Sequence, residues 1–526
     1  MCGTLALLLP QPTPLPLARA RLLRALATLQ HRGQAGYGFA YATEGTVVAE
    51  VHAGLVPAVD ASPPPPPDAP TTRFLLGHVR YPTSAAGARD GLAPLQPLTG
   101  THPVLGPFAL AHNGNIPSLD GVGVGGGGGD GGGDAPPSTP VTDTMRVRDF
   151  LQTVATAHDR ASFEEHRVEA WLDALAAVAT HVRAVYSLLV LTPTAVFALR
   201  DPYGVRPLCV AEVPAGEGEA GPAVMYASET VAFPPGATDV RHAVPGTCTA
   251  WWHDGAPCLA STVRVLAAPN PHPCVFEMMY YASPGHVGDL GSVEAFRRQC
   301  GAALARAERV VGVGGGGDER PMANDDWERV TTNGDCVARP SHPPVVVVGS
   351  PNSGIAAGQG YAEARGWPYV QALVRNPHFR KRSFLEPDTA SRLRVCREKF
   401  VVDAEAVLRA GLPWPLVTVV LVDDSMVRGN TMRVVLHMFR EAGVADVHVR
   451  LASPPVWSPC RYGIHIPTRD ELVIRQTNGD LEALALHVGA TSVRYLTMED
   501  VERVVEGKPH CAGCFGEGCG GEALGW

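Results

Sequence analysis

The chain has 526 residues, with 43 Lys and Arg against 52 Asp and Glu, for a formal net charge of −9. That length suggests about two to four domains, each able to bury a core. The mildly acidic balance, with no long run of Lys and Arg, argues against a nucleic-acid footprint. The 57 Gly and 48 Pro make up about a fifth of the chain, short of the roughly 25–30% of a wholly disordered one, and no apolar run reaches the roughly 18 residues of a membrane span.

In chain order, Leu17–Gln30 has helical spacing, and Phe74–Gly77 and Phe108–Ala111 have strand character. Ala184–Leu199 is broken by Thr192-Pro193-Thr194 and reads as two strands, Val185–Leu191 and Ala195–Leu199. Further on, strands are expected at Val345–Gly349, Tyr369–Val374, Val417–Val422 and Val447–Ala452, and helices at Ala356–Arg365 and Thr431–Ala442. Nearly continuous apolar strands alternating with helices imply a parallel sheet covered on both faces. Ser62–Pro67, Gly121–Gly133, Pro214–Pro222 and the polar stretch from Gly312 to about Pro343 are too poor in apolar residues to bury, and are expected as exposed loops. A domain boundary is expected near residues 245–275.

The twelve Cys are scattered, and the start Met-Cys-Gly-Thr lacks a basic region or a cleavage-like site. A reducing compartment is therefore expected, with thiols serving catalysis or metal. Removal of Met1 is expected to make Cys2 the N-terminus. Such a Cys carries a thiol beside an α-amino group of pKa about 7.7–8.0 that can act as its base. His31-Arg32-Gly33-Gln34, Gly77-His78-Val79-Arg80-Tyr81, Ala111-His112-Asn113-Gly114-Asn115 and Thr142-Asp143-Thr144 follow. Asn113 beside the Gly114 amide suits an oxyanion hole. Arg80 and Asp143 are the charges that would hold the α-carboxylate and α-amino group of an amino acid.

In the second half, Val422-Asp423-Asp424-Ser425-Met426-Val427-Arg428-Gly429-Asn430-Thr431 joins a strand to a helix. Adjacent acids at a strand end can hold ribose hydroxyls and magnesium, and the amides of Gly429, Asn430 and Thr431 can cradle a phosphate. Ser350-Pro351-Asn352-Ser353-Gly354 is a second strand-to-helix loop, and Arg375–Pro387 is basic, with Lys381 and Arg382 at its centre.

Together these motifs resemble the N-terminal-nucleophile amidotransferases, and most closely the amidophosphoribosyltransferase family. Arg200-Asp201-Pro202-Tyr203-Gly204-Val205-Arg206-Pro207-Leu208 is similar to that family's RDPxGxRPL segment, and Ala227-Ser228-Glu229-Thr230 to its ASES segment. The resemblance implies an α+β glutaminase domain of stacked β-sheets with helices at 2–255, with inserts near 60–70, 117–140 and 213–222. An α/β type I phosphoribosyltransferase domain with a parallel sheet would follow at 256–508, with an insert near 312–343, and then a cysteine-bearing end at 509–526. It implies Cys2 as nucleophile, Asn113 and Gly114 as oxyanion hole, and Arg80 and Asp143 as glutamine ligands. For phosphoribosyl pyrophosphate it implies Asn352, Ser353, Gly354, Lys381, Arg382, Asp423, Asp424, Ser425, Arg428, Gly429, Asn430 and Thr431, with Mg2+ at Ser353, Asp423 and Asp424.

Cys274, Cys460, Cys511 and Cys514 stand where one branch of the family ligates a [4Fe–4S] cluster, with zinc the competing metal. Purine nucleotides as inhibitors, a homo-oligomer, a cytoplasmic location, and neither nucleic acid nor membrane as partner are further implications. The chain departs from the family pattern at Ala35, Ser283 and Asn352, where an acidic residue, an Arg and an Asp are usual, and its basic loop is one residue longer. Two other readings stay open: a related amidotransferase with another acceptor, and a phosphoribosyl-pyrophosphate-binding regulator with impaired turnover.

Overall fold

The computed structural model describes residues 2–59, 65–66, 68–81, 95–116, 142–159, 163, 166–182, 184–216, 221–254, 258–307, 327–332, 335–340, 343–376, 397–460, 462–463 and 468–516. The first half contains strands β1 (Gly3–Pro14), β2 (Gly36–Thr43), β3 (Thr46–Ala53), β4 (Thr71–Arg80), β5 (Leu98–His102), β6 (Gly106–Asn115) and β7 (Val185–Leu191). It continues with β8 (Ala195–Arg200), β9 (Cys209–Val213), β10 (Ala223–Ala227), β11 (Thr238–His242), β12 (Thr247–Trp252) and β13 (Ala260–Val265).

These strands form two sheets, a seven-stranded one in the order β11-β9-β10-β1-β4-β2-β3 and a six-stranded one in the order β13-β12-β8-β7-β6-β5. Strand alternation fixes how they stack. In β1, Ala6 and Leu8 face inward and pack with Ala109 and Ala111 of β6 and Leu189 of β7, between the sheets. Leu5, Leu7 and Leu9 face outward, against Leu22 and Leu26 of the helix Leu15–Thr28. The other outer face is covered by the helices Asp143–Thr153 and Arg167–His181, with Trp171 packed edge-on against Phe108. β1 is buried on both faces and so lacks the polar alternation of a surface strand. β13 pairs with β12 along its length, so the six-stranded sheet runs on to Val265, within the boundary region expected at 245–275.

The second half is built on a parallel sheet ordered Val345–Gly349, Thr418–Asp423, Asp446–Leu451, Ser492–Tyr495. Val346 and Val348 pack to one side with Leu436 and Phe439 of the helix Asn430–Glu441, and Val345 and Val347 pack to the other with Tyr361 of the helix Gly354–Arg365. That helix crosses Val293–Ala307 at glycines. A Cβ on Gly301 would fall 1.9 Å from the Ala357 carbonyl oxygen, and one on Gly360 would fall 2.0 Å from that of Arg298, so the two backbones touch. Local chemistry marks the helix ends: Asp480 caps Leu481–Val488, and Thr497 with Asp500 forms a capping box for Met498–Val504.

Two expectations are corrected. Tyr369–Val374 is not a continuous strand. Tyr369 makes an isolated parallel bridge to Val347, and a short strand, Leu373–Arg375, pairs antiparallel with Phe400–Val402. Part of the stretch expected as loop up to Pro343 is a hairpin of Trp327–Thr332 with Asp335–Pro340. Asn333-Gly334 between them is the short-range hairpin signal that the loop reading missed. The glycine- and proline-rich segments at 62–64, 121–133, 217–220 and 312–317 lie outside the described residues. Among the described residues, no helix is long and apolar enough to cross a membrane.

Candidate active site

The register of β1 with β4 pairs Gly3 with Val79, so Cys2 stands at the end of β1 next to Arg80. Burial acts to lower the Arg80 pKa, and the charges of Cys2 and Asp143 oppose that. Asn113, near the end of β6, accepts the Cys2 backbone N–H through Oδ1 at 3.3 Å. Its Nδ2 is buried with no hydrogen-bond partner. An unsatisfied buried amide costs about 1–3 kcal/mol, and preorganised oxyanion donors carry that kind of cost before substrate arrives. A Cβ on Gly114 would lie 2.2 Å from the Val185 carbonyl oxygen and 2.7 Å from His112 Nε2, so glycine is required beside Asn113.

Asp143 opens the helix Asp143–Thr153, whose N-cap Thr142 accepts from the Met145 amide. Its carboxylate accepts from Thr144 N at 2.8 Å and Ile116 N at 3.3 Å, and it lies 3.7 Å from His112 Nδ1. Burial pushes the His112 pKa down, against the pull of Asp143. Four separate segments thus bring Cys2, Arg80, Asn113 with Gly114, and Asp143 into one neighbourhood.

The sequence reading assigned no role to the buried charges behind this site. Arg32 is fully buried and donates from Nε to the Cys2 carbonyl oxygen at 2.9 Å. It also pairs with Glu229, and with Glu277 at 2.6 Å. Burial works against its charge, and Glu277 and Glu229 more than restore it. Burial would likewise raise the Glu229 carboxyl, yet Arg32 and His31 hold it well below the usual carboxylate range. Gly33 lets this loop lie on Arg80, since a Cβ there would fall 2.4 Å from the Arg80 carbonyl carbon. Only Glu277, between Val275-Phe276 and Met278-Met279, carries a sequence signal, a lone charge in an apolar run.

Arg206 continues the network. It pairs with the other oxygen of Glu277 at 2.8 Å and donates from Nε to the Tyr462 carbonyl oxygen at 2.8 Å. Burial depresses its pKa, and Glu277 followed by Cys274, Cys460 and Cys511 raises it. Cys274 and Cys511 form an isolated backbone bridge, and the amides of Trp457 and Ser458 donate to the Cys514 carbonyl, two residues from Cys460. All four thiols pack in or against one hydrophobic cluster. Among the described residues, no group of three or more His, Cys, Asp and Glu converges on a point as the ligands of one metal ion would. A cubane takes one thiolate per iron, and the four cysteines of this cluster, three of them acting on the buried Arg206 guanidinium, are donors of the right chemical type.

In the second half, the loops 350–354 and 423–431 meet where Ser353 Oγ donates to Asp424. Gly354 permits this approach, since a Cβ there would lie 2.6 Å from the Val422 carbonyl oxygen and 3.0 Å from Asp423 Cα. Ser425 donates to Asp424 Oδ1 at 2.6 Å and the Asp424 amide donates to Asp423 Oδ1 at 2.9 Å. Burial, then the neighbouring Asp424 charge, pushes Asp423 well above the usual range. Burial raises Asp424 too. Two carboxyls and a hydroxyl form a hard oxygen set that suits Mg2+, which keeps waters and substrate oxygens as its remaining ligands.

Gly429 has φ +74° and precedes the helix beginning at Asn430, with Thr431 next, giving a helix N-terminus for anionic oxygens. Arg428 is paired with Glu471, and Asn352 is exposed. Lys381 and Arg382 lie outside the described residues.

No family model matches the chain. It is 32% identical over 503 residues to the amidophosphoribosyltransferase of Mycobacterium tuberculosis (strain ATCC 25618 / H37Rv), covering 93% of this chain and 81% of that protein. It is 30% identical over 552 residues to the amidophosphoribosyltransferase of Drosophila melanogaster, covering 98% and 88%. Among solved structures it is similar to the glutamine phosphoribosylpyrophosphate amidotransferase of B. subtilis complexed with ADP and GMP, with a TM-score of 0.68, 25% identity, and 98% of this chain and 96% of that one covered. A structure described as the allosteric regulatory enzyme of purine biosynthesis gives a TM-score of 0.69 at 26% identity, covering 98% and 95%.

Proposed function

The chain belongs to the amidophosphoribosyltransferase family, and from that premise we propose how its residues divide the reaction. Glutamine, phosphoribosyl pyrophosphate and water give 5-phosphoribosylamine, glutamate and pyrophosphate, the first committed step of de novo purine synthesis. The observation that carries the assignment of the glutamine site is the gathering of Cys2, Arg80, Asn113 and Asp143 from distant segments.

With Met1 removed, the Cys2 α-amino group takes the thiol proton and Sγ attacks the side-chain amide carbon of glutamine. Asn113 Nδ2 and the Gly114 amide stabilise the oxyanion. The protonated α-amino group returns that proton to the leaving nitrogen, and collapse releases ammonia and leaves a γ-glutamyl thioester, which water hydrolyses to glutamate and free thiol. Arg80 and Asp143 hold the α-carboxylate and α-amino group.

Ammonia then displaces pyrophosphate from C1 of the ribose in the second half. There Asp423 and Asp424 hold the ribose hydroxyls, and the amides from Gly429 to Thr431 hold the 5-phosphate. Asn352, Ser353 and Gly354 hold the pyrophosphate, with Lys381 and Arg382 as further contacts. Ser425 orients Asp424. Arg428 stands beside the phosphate loop. Catalysis in this half is positioning and charge stabilisation. Mg2+ held by Ser353, Asp423 and Asp424 would supply charge neutralisation of the pyrophosphate. A [4Fe–4S] cluster on Cys274, Cys460, Cys511 and Cys514 would supply a covalent staple between distant segments.

The ADP and GMP named with the B. subtilis protein support purine nucleotides as inhibitors here. A homo-oligomer in the cytoplasm completes the reading. The test is pyrophosphate release driven by glutamine and, separately, by an ammonium salt. Cys2→Ala should abolish the first and spare the second, and glutamine-driven turnover in that variant would remove Cys2 from its role.

A further inference from the structure

Glu277 lies beyond the sheets of the first half, yet its carboxylate reaches the glutamine site. Oε1 accepts from Arg32 Nη2 at 2.6 Å and Oε2 from Arg206 Nη1 at 2.8 Å. Arg32 in turn holds the Cys2 carbonyl oxygen at 2.9 Å through Nε. The side chains of both arginines are 0% exposed and that of Glu277 is 5% exposed. Tyr281, in the same single π-helical turn Glu277–Tyr281, donates its hydroxyl to the Arg32 carbonyl oxygen at 2.6 Å. Its ring centroid lies 5.4 Å from the Arg32 guanidinium carbon. This turn therefore grips Arg32 by both its backbone and its side chain. The turn is itself anchored, because Arg297 donates to the carbonyls of Met278 and Ala282 at 2.8 and 2.7 Å.

We propose that Glu277 is a positioning residue for glutamine hydrolysis. By fixing the Arg32 guanidinium, it sets where the Cys2 backbone stands, and with it the thiol. The proposal rests on the reading of Cys2 as the glutamine nucleophile. Glu277 can serve two guanidinium groups because its two oxygens accept in different directions. A glutamine there keeps one acceptor, turns the other into a donor facing an N–H, and leaves both arginines short of charge. Arg32 is then drawn toward Glu229, its remaining carboxylate partner, and its hold on the Cys2 carbonyl is lost. Its carboxylate oxygens are taken up by Arg32 and Arg206, so its loss should act on the rate of the chemical step and not on glutamine affinity.

The test uses full-length Cys2→Ala, Glu277→Gln, Glu277→Asp and Tyr281→Phe proteins beside the parent. Glutamate release gives kcat and KM for glutamine, and ammonia-driven pyrophosphate release in the same preparations reports folded protein. Glu277→Gln should lower the glutaminase kcat by about tenfold to a hundredfold, the range set by a displacement of about 1 Å, with KM changed less than about threefold. Glu277→Asp should recover part of that loss. Tyr281→Phe should lower kcat by about threefold, the effect of one hydrogen bond. Iodoacetamide should label Cys2 more slowly in Glu277→Gln than in the parent, relative to the exposed Cys258.

Parental kcat in Glu277→Gln and Tyr281→Phe, with Cys2→Ala inactive, would overturn the proposal, as would a rise in KM alone. If Glu277→Gln is insoluble, Tyr281→Phe decides on the same criteria. Glutamate release by Cys2→Ala would instead overturn the reading of Cys2 on which the proposal stands.

Discussion

Gly463 packs against the backbone of Gly114: a Cβ on Gly463 would lie 3.1 Å from the Gly114 carbonyl oxygen and 3.2 Å from its carbonyl carbon. Gly463 has φ +107°, and the preceding Tyr462 gives its carbonyl to Arg206. A segment that begins at the thiol of Cys460 therefore closes over the strand end that carries Asn113 and Gly114.

Gly463→Ala tests this closure. The substitution adds about 1–3 kcal/mol of backbone strain and presses a methyl group on Gly114. Glutamine-driven synthesis should fall about tenfold or more, the loss of a well-aligned oxyanion donor. Ammonia-driven synthesis, measured on the same protein, should fall less. An unchanged ratio of the two rates would show that closure over Gly114 is not needed for glutamine use.

The acid pair is expected to serve both routes. Asp423→Asn and Asp424→Asn should each depress glutamine- and ammonia-driven synthesis together, because both routes end at one sugar site. The loss should be at least about tenfold if an anionic ligand of the metal and ribose is removed. A parental ammonia-driven rate in both variants would place the pair outside the site.

The thiols make a compositional prediction. Protein purified without oxygen should be brown and hold about four iron and four sulfide per chain. Cys460→Ser should lose the colour and much of the soluble yield. Colourless, active protein containing one zinc would decide for zinc.

Acid sensitivity should pass through His286. Its Nδ1 lies 3.1 Å from the Thr230 amide and accepts from it, which requires the neutral ring. Burial pushes its pKa down to about 4 from 6.5, and nearby Arg32 adds to the shift. The unfolded chain therefore takes up the proton first. The contribution of His286 is intact above about pH 6.5 and is lost as the pH falls toward about 4, at up to about 1.4 kcal/mol per pH unit. His286→Asn keeps an acceptor but cannot titrate. Its thermal midpoint should fall less steeply than the parent's between pH 6.5 and 5. Parallel curves would exclude His286 as the source.

What the sequence made legible was local. The paired strands at 185–200 and the strand–loop–helix signatures around Gly354 and Gly429 each depend on neighbours in the chain, whereas β1 was not read as a strand. The candidate glutamine residues were readable because each sits in a short motif. The hairpin at 327–340 was passed over because glycine and charge content outweighed its alternation. Arg32 with Glu277 could not be read at all. The two stand 245 positions apart, and no periodicity or spacing marks a salt bridge formed by tertiary packing.

The ion pair between Arg32 and Glu277 also bears on the order of events during synthesis. A chain made from its N-terminus completes both sheets of the first half at Val265, before Glu277 is added. At that point Arg32 has Glu229 as partner, but not Glu277, Tyr281 or the closing segment at Tyr462 and Gly463. A nascent or truncated first half would carry all of the proposed glutamine-binding side chains around a proposed nucleophile that lacks these contacts. If Glu277 positions Cys2 as proposed, such a chain would hydrolyse glutamine more slowly than the full-length protein.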